Sequence, residues 1–379
     1  MIYHDFKGEK ISAFGMGCMR LPKTDPADDA SVDVEAVQRM VDYAYEQGVN
    51  YFDTAWGYHN GVSESVIGQA LSRYDRSTYN LVTKFPGYDK NNWGRNQQIF
   101  EEQLRRCQVD YFDFYLIHNV CEMNVDAYLD EERFGTRAYF LEQKKAGRIR
   151  HLGFSVHGSL EVMRRFLEFW GDCMEFVQIQ LNYVDYTFQD AKAKLDLAAE
   201  YGLPVIVMEP LRGGMLARAT DEEAAKLAAL RPQESIVGWA LRYLQGFDQV
   251  FTVLCGSSDL EQMKENIGCF QESKPLTAEE LRVLGQIVEQ RLAGKIQPCT
   301  ACRYCVSHCP CGIDIPWMLE LFNEHAFTGG GFMAPMALGT VEEGKLPQDC
   351  IACGNCSAVC PQAIDIPAAL VEFAGLLKS

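Results

Sequence analysis

The chain has 379 residues, 47% of them hydrophobic, enough to bury a sizeable core and to hold one large domain beside a small one. Its 52 acidic and 35 basic residues give a formal net charge of −17, which argues against nucleic acid as a partner, because a phosphate backbone is gripped by clustered cations. The longest apolar runs, such as Leu203 to Met208, are strand-sized and too short to cross a bilayer, so no membrane is expected.

Read in order, Met1 to Asp5 lacks a basic-then-apolar secretory pattern, and the 15 cysteines suit a reducing compartment, so a cytoplasmic location is expected. Short β-rich runs then alternate with longer amphipathic ones. The strand candidates are Phe14–Cys18, Asn50–Thr54, Tyr79–Lys84, Phe112–His118, His151–Val156, Glu175–Leu181, Pro204–Glu209 and Val250–Cys255. Between them Val34–Gln47, Asn96–Cys107, Gln189–Tyr201 and Glu234–Leu244 carry apolar residues at helical spacing, with Gly48, Gly147 and Gly202 at helix ends. Strands that each lead into a helix predict an α/β fold, a (β/α)8 TIM barrel. The rival, a doubly wound sheet, lacks its Gly-x-Gly-x-x-Gly fingerprint after an early strand.

Thr277 to Leu292 reads as one further helix, with Thr277 and Glu280 as a capping box. The expected organisation is a barrel over 1–275, a linking helix over 276–296 and a small, mainly helical domain over 297–379. In the last of these Trp317–His325 reads as helix, and Thr328–Gly339, rich in glycine and methionine, as a loop.

That small domain carries two matched strings. Cys299, Cys302, Cys305 and Cys309 precede Pro310, and Cys350, Cys353, Cys356 and Cys360 precede Pro361. Both have the spacing Cys-x-x-Cys-x-x-Cys-x-x-x-Cys-Pro, which ligates [4Fe–4S] clusters in bacterial-type ferredoxins, the fourth cysteine serving the other cluster. Cys299, Cys302, Cys305 and Cys360 are therefore expected on one cluster, and Cys350, Cys353, Cys356 and Cys309 on the other. The strings belong to a repeat offset by 51 residues: Ile313-Asp314-Ile315-Pro316 recurs as Ile364-Asp365-Ile366-Pro367, Leu319 as Leu370, and Phe322 as Phe373. Zinc would use ligand pairs, and disulfides an oxidising compartment.

In a TIM barrel the catalytic groups stand at the C-terminal strand ends and in the loops that follow. Three successive strand candidates deliver Asp53, Lys84 and His118 there, and the loop after Asp53 adds Tyr58. Singly each has a structural explanation; together at one rim they make a candidate site. Trp56, Tyr88, Trp93 and Cys121 are pocket candidates that would serve equally well in a core.

Over roughly residues 10–275 the sequence resembles the aldo/keto reductase superfamily. The resemblance is carried by Phe52-Asp53-Thr54-Ala55, Gly61-Val62-Ser63-Glu64, Gly147-Arg148-Ile149-Arg150-His151-Leu152-Gly153-Phe154-Ser155 and Glu209-Pro210-Leu211-Arg212-Gly213-Gly214. The whole chain resembles the branch with a C-terminal ferredoxin domain. The resemblance implies an oxidoreductase that moves hydride between NADP or NAD and a small carbonyl or alcohol substrate. Asp53, Tyr58, Lys84 and His118 match the catalytic tetrad: Tyr58 as the acid, its pKa brought toward neutrality by Lys84, with Asp53 holding Lys84 and His118 orienting the carbonyl. Ser155 and Gln178 match the residues that hold the cofactor's carboxamide, although Val156 stands where an asparagine is common. Met208 takes the place of a stacking tyrosine, and Leu211 and Gly213 lie in the next cofactor stretch. Gly256, Ser257, Glu265 and Asn266 match the phosphate and adenine stretch. Gly256 and Gln262 replace cations that often grip a 2′-phosphate, with Lys264 as a substitute.

Nicotinamides trade electrons in pairs and clusters pass them singly, so a flavin commonly mediates between the two. No flavin motif is visible. The alternatives left open are a flavin in the barrel, clusters that serve a ferredoxin- or flavodoxin-type electron carrier or the fold, and a redox-sensing or electron-carrier subunit whose barrel binds nucleotide without carbonyl reduction.

Overall fold

In the computed structural model, which describes residues 1–331 and 333–378, the β-rich runs close on themselves. Phe332, within the expected 328–339 loop, and Ser379, the last residue of the expected 297–379 domain, lie outside the described residues. All eight expected strands form: β3 (Phe14–Gly17), β4 (Tyr51–Asp53), β5 (Asn80–Phe85), β6 (Phe112–Val120), β7 (Ile149–Val156), β8 (Val177–Gln180), β9 (Val205–Met208) and β10 (Val250–Gly256). They pair in parallel in chain order, and β10 closes on β3 as a barrel. Every residue of β5, β8 and β9 is buried, as strands flanked by helices on one face and a packed interior on the other require.

Two strands precede the barrel that the periodicity did not single out. β1 (Tyr3–Phe6) and β2 (Glu9–Ser12) form an antiparallel hairpin. It delivers Phe6 into a cluster with Tyr51, Phe114, Phe176 and Phe251, where the Phe6 ring stacks on Phe251 at a centroid distance of 4.7 Å. The hairpin is short and half polar, and its one fully buried ring carries the packing.

The chain divides into two units, Met1–Leu284 and a second that begins at Gly285. The division falls within the helix Ala278–Leu292. At the start of that helix the Thr277 amide donates to Glu280 Oε2 at 2.7 Å, the Glu280 amide donates to Thr277 Oγ1 at 3.4 Å, and Arg231 Nη2 donates to Glu280 at 2.8 Å.

In the second unit the 51-residue repeat is also a repeat of structure. The helices Ile315–Thr328 and Ile366–Leu376 each begin after an aspartate with proline in the first turn. The paired residues Leu319 and Leu370 are both buried, and Phe322 meets Phe373 edge-on at 5.8 Å. Left-handed backbone recurs at the same offset, at Ala301 and Ala352, Arg303 and Gly354, and Gly312 and Ala363. The stretch read as a loop is helical over Met333–Leu338 instead. Methionine, alanine and leucine are good helix formers, Pro335 falls in the first turn where its missing N–H is not needed, and Ala334 and Leu338 are buried in the core of this unit. Among the described residues no helix is long and apolar enough to cross a membrane.

Candidate active site and cluster cavities

The four ionisable residues meet at the C-terminal rim of the barrel. Asp53 ends β4, Lys84 lies near the end of β5, and β6 carries His118 past its regular pairing with β7. Lys84 is fully buried, and its Nζ donates to Asp53 Oδ1 at 2.6 Å, to the Thr54 carbonyl at 2.8 Å and to the Tyr58 hydroxyl at 3.3 Å. The Tyr58 ring stands edge-on to His118 at 6.2 Å. Tyr88 also stands edge-on to His118, at 5.3 Å. Its hydroxyl lies so close to the backbone at Gly57 that a Cβ there would sit 2.3 Å away, and a larger residue would have to push the Tyr88 side chain aside.

Behind these residues a buried network fixes β5. Gln103 Nε2 donates to the Lys84 carbonyl at 2.9 Å and to Glu64 Oε1 at 2.9 Å, and Thr83 donates to the same oxygen at 2.7 Å. Arg106 pairs with Glu64 at 3.2 Å and lies 3.9 Å over the Trp56 ring. Of the four pocket candidates, only Tyr88 lies against a tetrad ring. Trp56 covers Arg106, Trp93 packs on Phe85, Tyr128 and Phe134, and Cys121 is buried with its amide bonded to Asn124.

Burial governs protonation here. The Tyr58 phenol is pushed above its ordinary value by burial, with the Lys84 ammonium opposing but not prevailing, the reverse of the lowering expected from the sequence. Burial pulls Lys84 down, but Asp53 and Tyr58 outweigh it and hold the ammonium above its usual range. His118 is pushed well below its usual value by burial first and by Lys84 and His157 after that, so it is neutral at pH 7.

The next strands carry the positions matched to a cofactor. Ser155 on β7 and Gln178 on β8 are register partners, and the Asn119 amide donates to Ser155 Oγ at 2.8 Å. Gln178 Nε2 reaches Met208 Sδ at 3.5 Å, while its Oε1 is buried with no partner. After β9 the loop holding Leu211 turns left-handed at Glu209, Arg212, Gly213 and Gly214. Arg212 anchors it through a buried 3.0 Å pair with Asp185, and the Gly213 amide donates to Glu209 Oε2 at 2.6 Å. After β10, Ser257 Oγ accepts from Asn266 Nδ2 at 3.0 Å. Gln262 is spent on its own turn, accepting from the Ser258 amide at 3.0 Å, and Glu265 lies one turn further along the helix Leu260–Gly268. Lys264, the expected substitute cation, pairs with Glu261 at 2.7 Å.

Sequence reasoning passed over Arg20. It follows β3, yet its side chain lies against both the loop after β9 and the loop after β10. A Cβ at Gly256 would stand 3.3 Å from Arg20 Cβ, and one at Gly213 would stand 3.3 Å from Arg20 Nη2. No local pattern could have shown this, because 236 residues separate Arg20 from Gly256.

In the second unit two hollows are walled by sulfur. Cys299, Cys302, Cys305 and Cys360 line one, with Leu319, Ile364 and Ile366. Cys309, Cys350, Cys353 and Cys356 line the other, with Cys311, Ile315 and Leu370. Each therefore takes three thiols from one string and the last from the other. Among the described residues no three His, Cys, Asp or Glu side chains gather closely enough to hold a single metal ion. Thiols spread around a hollow suit a cubane, whose irons sit at the corners of a larger body. The Ala301 amide donates to Cys299 Sγ at 3.4 Å, a contact that opposes, without overcoming, the burial that pushes this thiol up.

A closed (β/α)8 barrel with a buried lysine–carboxylate pair at its C-terminal rim, followed by a sulfur-walled unit, suits an oxidoreductase. The chain belongs to the aldo/keto reductase family, whose model matches residues 13–289, and a 4Fe-4S dicluster domain model matches residues 298–365. It is 27% identical over 292 residues to an L-galactose dehydrogenase of Arabidopsis thaliana, covering 71% of this chain and 87% of that protein. To the NADH-specific methylglyoxal reductase of Escherichia coli it is 25% identical over 300 residues, covering 68% of this chain and 89% of the other. Among solved structures it is similar to the holo form of an aldo-keto reductase from Bacillus halodurans, with 27% identity and a TM-score of 0.61, covering 76% of this chain and 96% of that one.

Proposed function

We propose that the barrel interconverts a small carbonyl compound and its alcohol with NAD or NADP, and that the C-terminal unit holds two [4Fe–4S] clusters that pass electrons singly. The observation that carries the first half is the buried Lys84, bonded at once to Asp53 and to the Tyr58 hydroxyl beside His118.

A bound dihydronicotinamide supplies the hydride. The chain's own groups do the rest. Tyr58, partly open to solvent and protonated at neutral pH, gives its proton to the developing alkoxide. The Lys84 ammonium stabilises the phenolate left behind, and Asp53 keeps that ammonium charged and in place. Neutral His118 buries Nδ1 without a partner, which leaves Nε2 to donate to the substrate oxygen and fix its angle. Ser155 and Gln178 would hold the nicotinamide end, and the Met208 thioether, bonded to Gln178, would serve the same end. The left-handed turn through Leu211 and Gly213, and Gly256 through Asn266, would hold the phosphates and adenine. Arg20 supplies there the positive charge that Gly256, Gln262 and the paired Lys264 do not.

The crossed lining of the two hollows supports the second half. Cys302 and Cys353 are the exposed member of each set, and an edge open to solvent suits exchange with a small electron carrier of ferredoxin or flavodoxin type.

The test is an optical spectrum and iron count on anaerobically purified full-length protein, with NADH and NADPH titrations and extraction of any bound flavin. Two clusters' worth of iron, absorbance that bleaches on reduction and saturable nucleotide binding are expected. Protein that binds neither nucleotide, or carries zinc in place of iron, would overturn the corresponding half.

A further inference from the structure

Between β6 and β7 the register breaks after Ile117 and resumes at Val120. The two residues inside the break are His118 and Asn119. Asn119 is left-handed, with φ 54°, a conformation that asparagine tolerates better than most residues. Its backbone is tied on both sides: the amide donates to Ser155 Oγ, and the carbonyl accepts from Asn124 Nδ2 at 2.9 Å. Its side-chain Oδ1 is nonetheless buried with no partner. A buried amide oxygen left unpaired costs roughly 1–3 kcal/mol, so it calls for an explanation.

The neighbours supply one. Asn119 touches Ser155, and Ser155 is the register partner of Gln178, so the three lie in a row across β6, β7 and β8. Along that row Gln178 Oε1 and Asn119 Oδ1 are two buried acceptors without donors. The Ser155 hydroxyl already accepts from the Asn119 amide, and its own hydrogen remains to be given. A primary carboxamide brings two N–H donors and one oxygen acceptor, the complement of this row.

We infer that Asn119 is the third member of the nicotinamide-carboxamide site, taking from β6 the part that Val156 cannot play on β7. Val156 is buried and apolar, so its side chain offers an amide no hydrogen bond. The carboxamide oxygen accepts from Ser155, and its two N–H groups donate to Gln178 and Asn119. Because Asn119 follows His118 directly, the residue that orients the substrate and the residue that orients the nicotinamide share one short irregular segment. This inference rests on the nicotinamide reading above.

The test compares Asn119→Gly with wild type in the full chain. Glycine keeps the left-handed backbone and both of its hydrogen bonds while removing the side-chain acceptor. Dissociation constants are measured for NADH, for its 3-acetylpyridine analogue, whose ketone has no N–H, and for ADP-ribose, which lacks the ring. NADH binding should weaken about tenfold in the variant, the loss of one hydrogen bond. ADP-ribose binding should stay within about twofold, which also shows that the variant is folded, and the analogue should bind both proteins alike. Unchanged NADH binding overturns the assignment. So does an equal weakening of NADH and ADP-ribose, which would mean that Asn119 acts through the shape of the rim. Wild type that binds none of the three instead strikes the nicotinamide reading itself, and the proposal with it.

Discussion

Tyr58 keeps its proton at neutral pH because burial of the phenol outweighs an ammonium 3.3 Å away. A general acid needs that proton, so Tyr58→Phe should slow carbonyl reduction by about 10²–10⁴ while leaving nucleotide binding nearly intact. Single-turnover reduction of an aldehyde, with cofactor titrations on both proteins, measures it. The sign of the shift fixes the pH profile. A pKa raised above 10 leaves the acid loaded at every lower pH, so reduction should not lose rate to this group until the pH passes 10. A limb near pH 7 that disappears in Tyr58→Phe would show that Lys84 prevails in the working complex. Arg20 is the second residue whose role depends on place. Arg20→Ala should weaken NADH and NADPH alike by about ten- to a hundredfold, the range of a charge-assisted contact, and flatten the salt dependence of binding. If only NADPH weakens, Arg20 grips the 2′-phosphate rather than the pyrophosphate.

Among the elements, the loop after β9 shows how strain and a buried pair work together. Glu209 and Arg212 take left-handed backbone that non-glycine residues seldom adopt. The Arg212 guanidinium facing Asp185, with Gln180 and Asn182 also bonded to that carboxylate, holds them there. Breaking a buried pair from one side costs about 3–5 kcal/mol. If, as proposed, the loop holds the phosphate end of the nucleotide, Asp185→Asn should lower the melting temperature and weaken NADH and ADP-ribose by the same factor. Thermal unfolding and the two dissociation constants check this; a stable variant with normal ADP-ribose binding would free the loop from that anchor. The hairpin β1–β2 teaches a different lesson. Its eight residues have no clear alternation, and what commits them is the ring of Phe6 among the aromatic residues of the barrel, partners that lie far off in the sequence.

For the molecule as a whole, the second unit is a repeat that cannot complete either hollow from one half. Cys309 and Cys311 both line the second hollow, but Cys309 has Cys360 as its counterpart, whereas Cys311 has Gln362. Cys309→Ser should lose iron from the second cluster and loosen the first, while Cys311→Ser should keep the full complement. Anaerobic iron counts with electron paramagnetic resonance decide between them; iron lost from Cys311→Ser alone would reverse the two assignments. The sequence by itself determined what local chemistry encodes. Strand and helix periods predicted the barrel, strand-end positions picked out Asp53, Lys84 and His118, and cysteine spacing picked out both strings, since each pattern is complete within a few residues. Thr328–Gly339 was misread because glycine at its start masked a short run of good helix formers. Only the tertiary structure decided the protonation of Tyr58, the placing of Arg20 against Gly256 and the meeting of Asn119 with Ser155. Burial, and closeness across a closed barrel, are properties of the assembled chain, and no stretch of sequence carries them.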